Sequence, residues 1–128
     1  MSYSPQLFSI DDDINWKSYL DRYGFVVINN ILDNDTYTNI LTQFYLDWAH
    51  VAKNFDFHDK TTWTPENCPM MWDIGMITGY GLGHASFQWQ LRTNPNIVEI
   101  WKRLHGTEDL VVSFDGFSVF LTPEQRTS

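Results

Sequence analysis

The 128-residue chain is poor in basic charge, has a single cysteine and lacks any long apolar run. Eight Lys and Arg stand against sixteen Asp and Glu, a formal charge of −8. Such a surface repels phosphate backbones and anionic headgroups, so no nucleic acid and no membrane is expected as a partner. Cys68 has no second cysteine to pair with. A lone thiol excludes an internal disulfide and suits a reducing, intracellular setting, with the cytoplasm as the expected location. No segment approaches the roughly 20 apolar residues that a bilayer-spanning helix needs. The opening "MSYSPQLFSIDDD" has neither a basic region nor an apolar stretch, so no signal peptide is expected. No repeat or low-complexity tract is visible. A nucleophile elbow of the G-x-S-x-G type is absent, and Cys68 sits between Asn67 and Pro69 without a basic neighbour to lower its pKa. A hydrolase is therefore not expected.

What the chain does contain is aromatic surface: six Trp, six Tyr and nine Phe. With 43% apolar residues the length suits one compact domain over 1–128. Residues 1–10 read as a loose lead-in. "DDDINWKSYLDRYG" reads as a helix capped by Asp11 or Asp12 and ended by Gly24, with Trp16, Tyr19, Leu20 and Tyr23 on one face. "GFVVIN" (24–29) reads as a buried strand. The next helix, capped by Asp33 or Asn34, carries the stripe Tyr37, Ile40, Leu41, Phe44, Trp48 and Val51. The turn-rich stretch with Pro65 and Pro69 is a loop, with one helical turn expected after Thr64. Two further helical segments follow, the second capped by Asn94, opened by Pro95 and ended by Gly106. Its buried stripe is Ile97, Ile100, Trp101 and Leu104. Leu110 to Leu121 reads as buried β structure, either two strands joined at Gly116 or one strand with a bulge there. Thr122, Pro123 and Gln125 then fit the start of a helix or of a loop crossing.

Several constellations invite chemistry. Gly79, Gly81 and Gly83 form G-x-G-x-G, but the dinucleotide pattern needs glycine or alanine one place later, where His84 sits. A turn that lets backbones pack closely explains the glycines better. Asp56, His58 and Asp59 offer metal-ligand chemistry, with His50, His84 or His105 as a distant partner. The segment is polar and turn-like, and a solvated loop is the favoured reading. His105 at a helix end needs no functional account, and His50 fits a surface position. Ser113 and Asp115 alternate with Val112 and Phe114, so a strand would place both polar groups on one face. That strand could be half-exposed or could line a polar cavity.

Three ordered segments carry a resemblance. "YGFVVINNILDNDTYTNIL" resembles the opening of phytanoyl-CoA dioxygenase-like proteins, where a G-[FY]-V-V-I strand precedes a loop and a long helix. "GHASFQWQLRTNPNIVEIWKRLHGTEDLVVSFDGFSV" resembles a subgroup with a G-H-x-x-F-x-W-x-L-R segment, a helix, then GT-D/E-DL and an SFDG strand. "WTPEN-P" fits the same subgroup. The likeness spans about residues 20–120.

The resemblance implies an α+β fold: a partial double-stranded β-helix, or jelly-roll, with outer helices, incomplete at its C-terminal side. For complete members it implies iron(II) and 2-oxoglutarate, with two histidines and one carboxylate holding the metal during hydroxylation by dioxygen. It also implies a basic residue near the second histidine that pairs with the far carboxylate of 2-oxoglutarate. The family's H-x-D/E motif follows the SFDG strand across a loop. No H-x-D or H-x-E occurs here: His50 is followed two places on by Ala52, His58 by Lys60, His84 by Ser86 and His105 by Thr107. No catalytic, cofactor-binding or metal-binding residue is therefore assigned. What carries over is architectural: the 24–28 strand, the long helix, Phe87–Arg92, and the strand with Ser113 and Asp115 bordering the cavity of a complete enzyme. The expectation is a truncated or degenerate relative, inactive alone and needing no cofactor as it stands. The alternative is a scaffold module that docks a second copy or a full-length relative through unpaired sheet edges.

Overall fold

The computed structural model describes residues 4–64, 66–68 and 76–119. They divide into two compact units. Unit one runs up to Tyr37 and includes Arg92–Val111; unit two takes Thr38–Leu91 and the residues from Val112 on.

In unit one, β1 (Leu7–Phe8) pairs in parallel with β2 (Val27–Ile28), in the register Leu7↔Val27 and Phe8↔Ile28. The lead-in is thus a strand, which its short length hides from pattern reading. The expected 24–29 strand is real but only two residues long, and it is half-buried, not buried, with Phe25 exposed. Helix α1 (Asp13–Tyr23) joins the pair. Asp12 caps it, though its carboxylate accepts from the Asn15 side-chain amide (2.7 Å) and not from a backbone N–H. Gly24 ends it with φ 77°, donating its N–H to the Leu20 carbonyl. Trp16 is buried and donates its indole N–H to the Ile10 carbonyl. Tyr19 stands against the rings of Phe8, Tyr23 and Phe25.

Helix α4 (Pro95–His105) also belongs to unit one. Asn94 accepts from the backbone N–H groups of Asn96 and Ile97, as its position before Pro95 requires. The expected buried stripe is a correction: Ile97, Ile100 and Leu104 are half-buried and Trp101 is exposed, stacked on His105. Polar contacts tie this helix down instead. Arg103 donates to the Ile10 carbonyl (2.9 Å) and to Glu99 (2.8 Å), with Asp11 at 3.5 Å. The Asn96 side-chain amide donates to the Ile31 carbonyl.

Helix α2 (Asn34–Val51) starts on Asp33, whose carboxylate accepts the Thr36 N–H at 2.7 Å. That bond holds the Asp33 carboxyl below the usual carboxylate range. From Thr38 onward α2 serves unit two. Its core is Trp48, Ala52, Phe55, Cys68, Ile77 and Leu82. Phe44 is the hub of the aromatic packing, touching Tyr45, Trp48, Phe57, Phe87 and Phe117. Phe87 is presented by α3 (Ser86–Arg92). Strand β3 (Met76–Ile77) runs antiparallel to β4 (Phe117–Ser118), with Ile77 fully buried.

The expected β structure from Leu110 is the main correction. Only Phe117 and Ser118 pair; Val111 to Asp115 form no ladder and are exposed. β-branched residues favour a strand only where a neighbour completes it, and no described strand pairs with these. Phe120, Leu121 and the Thr122–Gln125 signal lie outside the described residues.

Candidate functional site

Three segments of unit two meet: the G-x-G-x-G turn, α3 with Trp89, and the stretch with Phe114. Gly79 to Leu82 makes a tight turn, with the Leu82 N–H donating to the Gly79 carbonyl at 3.1 Å. Both central residues are left-handed: Tyr80 at φ 58° and Gly81 at 72°. This is the primed turn geometry, which normally excludes a bulky residue such as Tyr80. Tyr80 is 65% exposed. A short 3-10 helix, Leu82–His84, follows and delivers His84 to the surface.

His84 meets the Phe114 ring at 5.1 Å, and Trp89 lies 5.6 Å from the same ring. Gly83 makes this possible. A Cβ at Gly83 would overlap the Phe114 carbonyl oxygen, and one at Gly116 would overlap the Ile77 carbonyl oxygen. The third glycine of G-x-G-x-G therefore brings two backbones together, as the close-packing reading expects. Spacing alone did not reveal the His84, Trp89 and Phe114 cluster, because its members come from separate segments. The alternation of glycine with aromatic residues was the available signal.

Ser113 and Asp115 are exposed and bond to each other. The Ser113 hydroxyl donates to Asp115 at 2.7 Å, the Asp115 N–H donates to Ser113 Oγ at 3.3 Å, and both residues are exposed. The pair closes a local turn before Gly116, the kind of side-chain bonding that competes with a ladder.

Asp56, His58 and Asp59 are all exposed, as a solvated loop expects, and local bonds tie the loop down. Asp56 accepts the His58 N–H (2.8 Å), and its carbonyl accepts the Trp63 indole N–H (2.7 Å). Asp59 caps a 3-10 helix, Lys60–Thr62, accepting both the N–H and the hydroxyl of Thr61. The hydroxyl bond is the larger reason that its carboxyl lies below the usual range. Both carboxylates thus serve the backbone or its immediate neighbours. After Thr64, the Cys68 N–H bonds to the Thr64 carbonyl, which is the expected helical turn; Pro65 lies outside the described residues. His50 and His105 are exposed at the ends of α2 and α4. Among the described residues no three His, Cys, Asp or Glu side chains stand together as a metal-binding group. Iron ligation of the two-histidine, one-carboxylate type does not fit these residues.

Burial pushes the Cys68 thiol up to about 11, helped by the Glu66 carboxylate, so it is an inert core thiol at neutral pH. Three buried polar atoms, Asp47 Oδ2, Trp48 Nε1 and Gln88 Nε2, have no hydrogen-bond partner among the described residues. Buried polar groups are normally satisfied, so these are costly as they stand. No helix among the described residues is long and apolar enough to cross a membrane.

The chain is similar to two curated proteins. It is 30% identical over 112 residues to "Ava biosynthesis cluster protein O" of Aspergillus versicolor, a match covering 84% of this chain and 34% of that protein. It is 27% identical over 123 residues to "Putative phytanoyl-CoA dioxygenase" of Dictyostelium discoideum, covering 89% of this chain and 34% of that protein. The chain is a distant relative of that dioxygenase-named protein. It spans about a third of the length of the curated relatives it matches. No family model and no solved structure matches it.

Proposed function

We propose that these 128 residues form the non-liganding, amino-terminal wall of a phytanoyl-CoA dioxygenase-like protein. The fold they contribute to is a double-stranded β-helix with outer helices, of which this stretch is part. One observation carries the reading: nearly the whole chain matches relatives of which it covers only a third. The complete protein would use iron(II), 2-oxoglutarate and dioxygen, in a reducing intracellular compartment. These residues contain no His-x-Asp or His-x-Glu pair to hold the iron, so alone they support no hydroxylation.

The test is a chimera. The matched third of the Dictyostelium discoideum relative is replaced by these 128 residues, and succinate formation from 2-oxoglutarate is measured with iron(II). The expected result is turnover by the chimera and none by the 128-residue chain above a no-protein control. Turnover by the chain itself, or a folded chimera that is inert beside an active parent, overturns the reading.

A second reading is a non-catalytic scaffold module, docking a second copy of itself or a full-length relative. The exposed residues Val112 to Phe114 outside any ladder favour it. Light scattering over a concentration series separates the two, because a dilute monomer throughout excludes self-docking.

A further inference from the structure

One hydroxyl of unit one stands in front of a run of acids. Ser9 lies between β1 and α1 and is followed by Asp11, Asp12 and Asp13. A helix start needs one capping residue, and Asp12 fills that position without bonding a backbone N–H. The run therefore exceeds what the helix uses. Ser9, Asp11 and Asp12 are exposed and precede the first helical residue. Ser9 Oγ accepts one long bond, from the Asp11 N–H at 3.3 Å, and its O–H donates to no described residue. Of the other Ser and Thr residues in the chain, only Ser18 has an acid three places on, Asp21, and Ser18 sits inside α1.

We propose that Ser9 is a phosphorylation site read by an acid-directed protein kinase, and that Arg103 receives the phosphate. Asp11 and Asp12 offer the charge pattern by which the basic groups of such a kinase choose a substrate. In the transfer, Ser9 Oγ bonds the γ-phosphorus of ATP and the bond from that phosphorus to the β-phosphate oxygen breaks. ADP leaves, and the hydroxyl proton passes to the base of the kinase. The new group carries about two negative charges and strong acceptor oxygens. The neighbouring aspartates are partly neutralised: Asp13 pairs with Lys17 at 2.9 Å, and Asp11 lies 3.5 Å from Arg103. Arg103 already reaches this loop, bonding the carbonyl of Ile10, the residue after Ser9. Its guanidinium has more N–H donors than Ile10 and Glu99 use. Arginine–phosphate pairs are among the strong charge-assisted bonds, so a phosphate on Ser9 adds a tie between the β1–α1 loop and α4. This site is independent of the dioxygenase reading.

The test treats the 128-residue chain with ATP and a serine kinase that requires an acid three places after the acceptor, and locates phosphate by mass spectrometry. Ser9 is expected to carry it and Ser18 is not, because a serine inside a helix is not presented in the extended form that a kinase cleft binds. Asp12→Asn, which still suits the cap of α1, should lower incorporation about tenfold, whereas Asp21→Asn should leave Ser9 unaffected. No phosphate on Ser9, equal phosphate on Ser18, or incorporation indifferent to Asp12→Asn overturns the site. Phosphorus NMR then titrates the attached phosphate. Arg103 favours its dianion, so the second ionisation should fall about half a pH unit or more below that of a free phosphopeptide of residues 4–15. Arg103→Ala, with folding verified by circular dichroism, should remove the difference. Equal titration in chain and peptide, or a difference that survives Arg103→Ala, overturns the part given to Arg103.

Discussion

Unit two is held together by rings packed on rings, whereas unit one has a smaller ring cluster about Tyr19 and leans more on side chains bonding to backbone. In unit two, Trp48 is 1% exposed and Phe44 contacts five other rings. In unit one, among the described residues, only Phe8 and Trp16 are buried apolar side chains, and α4 has no buried residue at all. Arg103 and Asn96 tie α4 down through the carbonyls of Ile10 and Ile31. The difference teaches that a clear apolar stripe fixes a helix's existence without fixing how deeply it is buried. Volume changes should damage unit two most, and changes of polar geometry should damage unit one.

The largest effect is expected from Trp48→Ala, which removes a fully buried ring and should cost about 3–5 kcal/mol in urea unfolding. A loss below about 1 kcal/mol would break the comparison. Gly116→Ala is next. Its methyl would overlap the Ile77 carbonyl, and overpacking of this kind costs about 1–3 kcal/mol, read as a lower unfolding midpoint. Tyr80→Asn should act in the opposite direction. Asparagine tolerates φ 58° better than tyrosine, so a gain of roughly 1 kcal/mol is expected in the same measurement.

Cys68 sharpens the contrast through pH. Its thiol is raised by burial to about 11 from an ordinary value of 9.0, so the neutral form is the one that folding favours. That contribution is complete below about pH 9 and is lost as pH rises through about 11. Cys68→Ala should flatten this alkaline decline relative to the parent, measured by thermal unfolding across pH 8–11.5. The smallest effect belongs to unit one. Arg103→Lys keeps the charge but loses the planar fork that serves Glu99 and the Ile10 carbonyl together. A drop of the melting midpoint smaller than that of Trp48→Ala is expected, with Arg103→Ala no better.

Much of the helical frame was legible. Three of the four α-helices among the described residues follow caps that local chemistry dictates: Asp12, Asp33 and Asn94 at their starts, Gly24 and Gly106 at two of their ends. The close-packing glycines were legible as a class, because a dinucleotide site needs a different last residue. Less legible were depth and pairing. Ile97, Ile100 and Leu104 show the period of a buried face, yet period does not say what stands opposite. Leu7 and Phe8 form a strand too short to leave a pattern. The site residues behaved similarly. Asp56 and Asp59 look like ligands on paper, and the nearby N–H and hydroxyl groups claim one oxygen of each.

By itself the sequence determined where helices begin and stop, and that no His-x-acid pair for iron exists in these 128 residues. Both follow from residue identity and from contacts a few positions apart. Tertiary structure decided the rest. It set Phe114 between His84 and Trp89, drew Gly83 and Gly116 against distant carbonyls, and left Val112 to Phe114 without a ladder. A strand is completed only by its neighbour, and a neighbour far along the chain, or beyond it, is not encoded in the local pattern.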